Sequence, residues 1–444
     1  MIRTYLLRAL LTLKGSRTFK KFGEFKKREY LPLEENLKFQ EERLKDILFY
    51  SWKNVPYYTK ILEEAGAVRD GKVNLKNFHK IPVLTKDIIR KNFEELKSRD
   101  LEKISFIKNT SGGSTGEPIF LFQDEAMSSE DIAVAWFQNS FVCEYPCKHL
   151  KLWGSERDIS KEWDIIGRVK EWLFSVKILN SFKISEQEME DYVEKINRYK
   201  PDLIESYVQS VYELSKFIKK NNLQVYSPKG IITSAGNLYP EMKKLIEEVF
   251  KTKVFNRYGS RETPTLACSC KEDKGLHLNI FTKYTEILDD YLKPCKPGEI
   301  GEIYITTLNN YSMPLIRYKI EDMAVPSEKK QCSCGRGMPL IEKVVGRNIN
   351  IFKNFKGEKI DGAYFMVIVF FKDWIKKYQV IQESYNNIIY KIVKKGKPLK
   401  KDLEDIEKRV KIVMGKDCKV KFEFVGEIEP TKSGKFLYTI SKVK

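Results

Sequence analysis

A helical period runs through residues 1–70, where Leu37, Gln40, Leu44, Ile47 and Leu48 share one face before Asn54-Val55-Pro56-Tyr57-Tyr58 breaks the helix. Short helices are expected at 60–65 and 85–92, and a longer one at 124–139. Between the last two the period drops to that of strands, in Ile104-Ser105-Phe106-Ile107 and Ile119-Phe120-Leu121-Phe122. Leu150-Lys151-Leu152-Trp153 predicts another strand. Helical spacing returns at 186–199 and 208–221, with a candidate strand at 201–204. Lys229-Gly230-Ile231-Ile232-Thr233-Ser234 reads as a buried parallel strand, 239–250 as a crossover helix and Lys253-Val254-Phe255-Asn256 as the next strand, a βαβ unit. From Lys283 the pattern is β, with strands expected at 285–288, 298–306 and 314–318. Strands at 378–383, 388–393 and 419–424 with a helix at 402–413 predict a small α+β sandwich at the C-terminus.

The two strand predictions around residue 110 enclose Asn109-Thr110-Ser111-Gly112-Gly113-Ser114-Thr115-Gly116-Glu117-Pro118. Three glycines let backbone N–H groups converge on an anion, and the hydroxyls add donors, which suits a triphosphate. No Gly-Lys-Ser/Thr closes the loop, so it is not a Walker A motif; a plain Ser/Gly hairpin loop is the alternative. The βαβ strands run out into Ser234-Ala235-Gly236 and Tyr258-Gly259-Ser260-Arg261-Glu262. Ligands of open α/β sheets bind beyond such strand ends, so both loops should border one crevice.

With 444 residues the chain has room for two or three domains, and 42% hydrophobic content excludes disorder as its theme. A formal charge of +19 favours anionic partners. The lysines are spread along the chain without a nucleic-acid-binding signature, so nucleic acid is not expected. The sequence has no apolar run long enough for a transmembrane helix. Residues 2–13 are amphipathic and basic, which predicts a helix packed on the core, with peripheral membrane contact as the alternative. The eight cysteines do not resemble a secreted disulfide framework and point to the cytoplasm.

The loop at 109–118, Ser234-Ala235-Gly236, Tyr258-Gly259-Ser260-Arg261-Glu262, Arg317-Tyr318 with Asp322, Gly346-Arg347 and Thr431-Lys432-Ser433-Gly434-Lys435 stand in a fixed order. Together they resemble the acyl-adenylate-forming, AMP-binding ligases, most closely the phenylacetate–CoA ligase branch and its CapK-like relatives encoded with capsular polysaccharide genes. The resemblance covers essentially the whole chain. It implies an α/β fold, α+β overall: a large multi-sheet N-terminal domain over 1–347 and a small, mobile α+β domain over 348–444. It also implies activation of a carboxylic acid by ATP to an acyl-AMP, then acyl transfer to a thiol such as CoA.

By the same resemblance, Thr110, Ser111, Gly112, Gly113, Ser114, Thr115 and Gly116 would hold the β- and γ-phosphates, and Glu262 would hold Mg²⁺. Tyr258 and Gly259 would line the crevice, Ser234, Ala235 and Gly236 would border the adenine, and Asp322 would accept hydrogen bonds from the ribose diol. Arg347 ends the large domain and counts among the cofactor-binding residues. Lys435 would reach both the carboxylate and the α-phosphate, with Lys432 its competitor. Asn350 stands where the hinge is commonly Asp, and Lys319-Ile320-Glu321 where many superfamily members have Arg-Thr-Gly. Both departures bear on the CoA half-reaction. Trp153, Phe137 and Tyr207 are candidates for an aromatic acyl lining.

Cys268-Ser269-Cys270 and Cys332-Ser333-Cys334 are two Cys-x-Cys pairs, with His277 behind the first. Four thiolates, or three and an imidazole, would make a closed tetrahedral zinc site, structural in role; metal-free buried thiols are the alternative. Two functional alternatives remain beside CoA ligation. One passes the acyl group to an amine or hydroxyl in envelope polysaccharide synthesis. The other is a non-catalytic basic protein that binds membrane surfaces or nucleic acid.

Overall fold

The computed structural model describes residues 2–111, 119–144, 146–153, 165–180, 186–347, 351–370, 372–429 and 436–443. Four helices open the chain: α1 (Ile2–Leu13), α2 (Thr18–Arg28), α3 (Leu33–Asn54) and α4 (Pro56–Glu64). The periodic face of α3 is buried through Gln40, Leu44, Ile47 and Leu48, as its spacing predicts. Helix α1 inserts Leu7 into the core but leaves Leu6, Leu10 and Leu13 exposed. Among the described residues no helix is long and apolar enough to cross a membrane.

A short hairpin, β1 (Val68–Arg69) and β2 (Lys72–Val73), and α5 (Lys86–Lys91) precede a second hairpin, β3 (Phe106–Thr110) and β4 (Phe120–Asp124). The Ser/Thr/Gly loop is the connection of β3 and β4. Asp124 then caps α6 (Glu125–Asn139), its Oδ1 accepting from Met127 N at 2.8 Å.

The central sheet has eleven strands. Five are parallel: β5 (His149–Trp153), β6 (Val176–Asn180), β7 (Leu203–Tyr207), β8 (Gly230–Ser234) and β9 (Val254–Tyr258). Six more continue the sheet antiparallel: β10 (Ala267–Ser269), β11 (Leu276–Leu278), β12 (Lys283–Leu288), β13 (Gly301–Thr307), β14 (Tyr318–Pro326) and β15 (Leu340–Arg347). Strand β9 is where the pattern changes, parallel to β8 on one side and antiparallel to β10 on the other. Helices Glu186–Tyr199, Val208–Lys220 and Pro240–Phe250 cover one face of the parallel half, packing Ile196, Val211, Leu214 and Ile246 on Leu150, Ile204 and Ile231.

The strand expected at 314–318 begins only at Tyr318. Arg317 is left-handed (φ 49°) and fully buried, with Nη1 donating to His79 O and Ile81 O at 2.6 Å and Nε 3.1 Å from Glu286 Oε2. A side chain so committed and a positive φ stop strand geometry at that residue. The helix Ile165–Phe174 and strands β6, β10, β11 and β15 were not expected from the pattern.

At the C-terminus, the hairpin β16 (Ile351–Lys353) and β17 (Lys359–Asp361) precedes a separate four-stranded sheet. It is made of β18 (Ile375–Ser384), β19 (Asn387–Lys394), β20 (Lys419–Phe424) and β21 (Thr439–Ser441), in the order β20-β19-β18-β21. Helices Ala363–Phe370 and Lys400–Met414 close its own core around Phe365, Val380, Tyr390, Ile406 and Val410. Tyr438 donates to Gln209 Oε1 at 3.1 Å, a contact with the large sheet's helical layer.

Candidate functional site

Because β7, β8 and β9 are parallel and in register, their C-terminal residues Tyr207, Ser234 and Tyr258 end at one edge of the sheet. Beyond β8, Ala235 takes a left-handed conformation (φ 59°), and Asn237 Nδ2 donates to Val345 O at 2.9 Å. A Cβ on Gly236 would come within 3.3 Å of Val208 Cβ. The loop after β9 folds back on itself more tightly. Ser260 N–H donates to Thr263 O at 3.1 Å, and a Cβ on Gly259 would lie 2.7 Å from Thr265 N, so the backbone approach requires glycine.

Strands β14 and β15 place Asp322 directly opposite Arg347. Tyr258 OH donates to Asp322 Oδ2 at 2.7 Å, joining the parallel half to the antiparallel half. Ser234, Tyr258, Asp322 and the backbone of Arg347 therefore meet at one border, as the crevice argument requires.

The hairpin that carries the Ser/Thr/Gly loop is fastened to the same border by a pair that sequence reasoning missed. Asn109 Nδ2 donates to Gln123 Oε1 at 2.8 Å, and Gln123 Nε2 donates to Arg261 O at 2.9 Å and to Glu262 O at 3.5 Å. The signal was a polar residue, Gln123, inside an apolar strand. Ser111 closes the loop's neck, its N–H donating to Ile119 O and its Oγ accepting from Ile119 N, both at 3.0 Å. Thr110 ends β3 beside it. Gly112, Gly113, Ser114, Thr115, Gly116, Asn350, Lys432 and Lys435 lie outside the described residues. Glu262 is buried, 7% exposed, and among the described residues no basic side chain pairs with its carboxylate.

Trp153 and Tyr207 pack in a tilted contact, 4.2 Å between ring centroids, at the ends of β5 and β7. Phe137 does not join them: it packs on Phe281 at 5.2 Å in a core with Phe25.

At the opposite end of the sheet, Cys270, His277, Cys332 and Cys334 bring one donor atom each within 4.8 Å of one another. Cys270 Sγ is 3.6 Å from Cys332 Sγ, and Cys334 Sγ is 3.4 Å from His277 Nε2. Burial, helped by Arg336, lowers His277 to about 4, so the imidazole is neutral. Burial alone would raise the Cys334 thiol, but the Arg336 backbone N–H and guanidinium bring it below its usual value. Three thiols and a neutral imidazole suit zinc. Cys268, expected among the ligands, is not in the group. It sits deeper on β10 against Arg257, and burial raises its thiol. Cys143 and Cys147, which belong to no motif in the sequence, form a disulfide.

Residues 353–442 match the family model of the CapK C-terminal domain. Protein CapK of Staphylococcus aureus is 24% identical over 412 residues, spanning 91% of this chain and 89% of that one. Over most of its length the chain is similar to CapK and to the phenylacetate–CoA ligases. The phenylacetate-coenzyme A ligase of Thermus thermophilus is 25% identical over 341 residues, 72% of each chain. In fold, the chain matches 2-hydroxyisobutyryl-CoA ligase in its postadenylation state with a TM-score of 0.71, at 17% identity over 94% of this chain and 91% of that one.

Proposed function

We propose that this protein activates a small carboxylic acid with ATP, forming an acyl-AMP and releasing pyrophosphate, and then passes the acyl group to the thiol of CoA. The observation that carries this reading is the convergence of the Tyr258–Asp322 pair, the Glu262 loop and the Asn109–Gln123 link from the Ser/Thr/Gly hairpin at one strand-end border.

In the first step the acid's carboxylate attacks the α-phosphorus, and pyrophosphate leaves. Both partners are anionic, so the site must place positive charge and N–H donors where negative charge accumulates. The loop from Thr110 to Gly116 supplies donors to the departing phosphates. Asp322 accepts from the ribose hydroxyls, and Tyr258 holds that carboxylate in place. Ser234, Ala235 and Gly236 border the base. Lys435 brings its ammonium to the carboxylate and α-phosphate. Glu262 is the ligand for Mg²⁺, which when bound neutralises charge on the phosphate oxygens. In the second step the thiolate attacks the acyl carbon and AMP leaves. We assign the boundary between the large and small domains to residues 347–348, and the Cys270, His277, Cys332 and Cys334 group to a structural Zn²⁺.

ATP–pyrophosphate exchange over a panel of aryl, fatty, hydroxy and amino acids tests the reading. Exchange dependent on a particular acid, falling by a factor on the order of a hundred or more in both Lys435→Ala and Glu262→Ala, is the expected result. No ATP binding and no exchange with any acid overturns it.

A further inference from the structure

The floor beneath the Trp153–Tyr207 pair is charged. Along β5 and β7 alternate residues face one side of the sheet, so His149 and Lys151 lie below Trp153, and Glu205 lies below Tyr207. Glu205 is buried, and three groups surround it: Lys151 Nζ at 3.1 Å, Arg257 Nη1 at 3.2 Å and His149 Nε2 at 3.1 Å. Arg257 also donates to Asn139 Oδ1 from α6. Burial would raise the Glu205 carboxyl, but Lys151 and Arg257 pull it well below the usual range, so it is ionised. Burial lowers His149, against the pull of Glu205, so the imidazole is neutral.

Two cations thus share one carboxylate, and the set holds one positive charge in excess. Arg257 is buried and committed to Glu205 and Asn139. Lys151 is the member that reaches open space, with its side chain 32% exposed and its ammonium 5.9 Å from the Trp153 ring. Ile178 of β6, partly buried, stands beside Lys151 in register. Glu171, the nearest acidic side chain of the helix Ile165–Phe174, is taken up at the sheet's free edge, where it accepts from Ile178 N at 3.2 Å. The result is a surplus cation beside aromatic and aliphatic side chains, roughly 7 Å below the strand ends by the rise of two residues. Tyr207, at the end of β7, stands in register with Ser234 on the border described above.

We infer that the acid activated at this border carries a second anionic group, which Lys151 receives at the foot of the Trp153–Tyr207 pair. The inference rests on the adenylation reading above, because it takes the acid's first carboxylate to the phosphate end of the same crevice. A surplus cation beside low-dielectric side chains attracts an anion strongly and favours an uncharged ligand tail little.

The test is ATP–pyrophosphate exchange by the full chain with matched pairs of acids, linear and aromatic monocarboxylates against the dicarboxylates of the same carbon skeleton. Wild type should prefer the diacid, and Lys151→Met should lower the diacid-to-monoacid ratio of kcat/KM by a factor on the order of a hundred. Lys151→Arg should keep the preference, and thermal melts of both variants should stay close to wild type. Exchange with monoacids that exceeds exchange with every diacid overturns the inference while adenylation stands. An unchanged ratio in Lys151→Met does the same. Silence with all pairs, together with no ATP binding, overturns the adenylation reading itself.

Discussion

The two ends of strands β9 and β10 differ in kind. At one end Tyr258 reaches across to Asp322, and the surrounding groups, Ser234, Glu262 and the Gln123 amide, border a crevice. At the other end, just beyond β10, Cys270 joins His277, Cys332 and Cys334 in a set whose donor atoms lie within 4.8 Å of one another. A closed set can saturate an ion and exclude substrate, whereas an open one leaves room for exchange. On the reading proposed above, the cysteine group holds a structural metal and the strand ends carry the chemistry.

The largest effect should come from the closed end. Cys334→Ser or Cys270→Ser should drop bound zinc from about one per chain to near zero, because a lost ligand opens a tetrahedral site, and the melting temperature should fall with it. Cys268→Ser should retain the metal. Elemental analysis with a melt of each variant decides, and zinc lost equally from Cys268→Ser would break the division drawn here. Next is Gly259→Ala. Its Cβ would meet Thr265 N at 2.7 Å, so the loop must open at a cost of about 1–3 kcal/mol, with loss of exchange activity and zinc content unchanged.

Gln123→Leu removes the link between the phosphate-loop hairpin and the Glu262 loop. Exchange should fall by roughly tenfold, the worth of about 1.4 kcal/mol, mostly in kcat, since positioning and not binding is lost. The smallest is Tyr258→Phe, which takes one donor from Asp322 at a cost of about 1 kcal/mol. It should raise the KM for ATP and leave the zinc in place. A melt shifted as far as that of Cys334→Ser would mean that the two ends are one structural unit.

How much of this was readable beforehand depends on range. The β3–β4 loop and the β8–β9 unit were readable because hydrophobic period and glycine placement are local. The short strands β10 and β11 were not, since three residues carry no period, and β15 was missed as well. Arg317 looked like part of the reactive constellation, yet it is spent on Glu286 and on two carbonyls distant in sequence. Phe137 looked like a pocket lining and is a core ring. In both, the residue type was informative and its direction was not.

The sequence by itself determined which residue types are present: a Ser/Thr/Gly-rich loop, a carboxylate after a strand end, paired cysteines and a βαβ unit to order them. Those follow from residue type and spacing along the chain. Only the tertiary structure decided that Cys268 stands apart while Cys334 joins His277, that Gln123 fastens the loop to Glu262, and that Lys151 shares Glu205 with Arg257. Each of those contacts joins residues more than fifty positions apart in the chain. Strand order and register set which side chains meet, and no local pattern in the chain encodes that order.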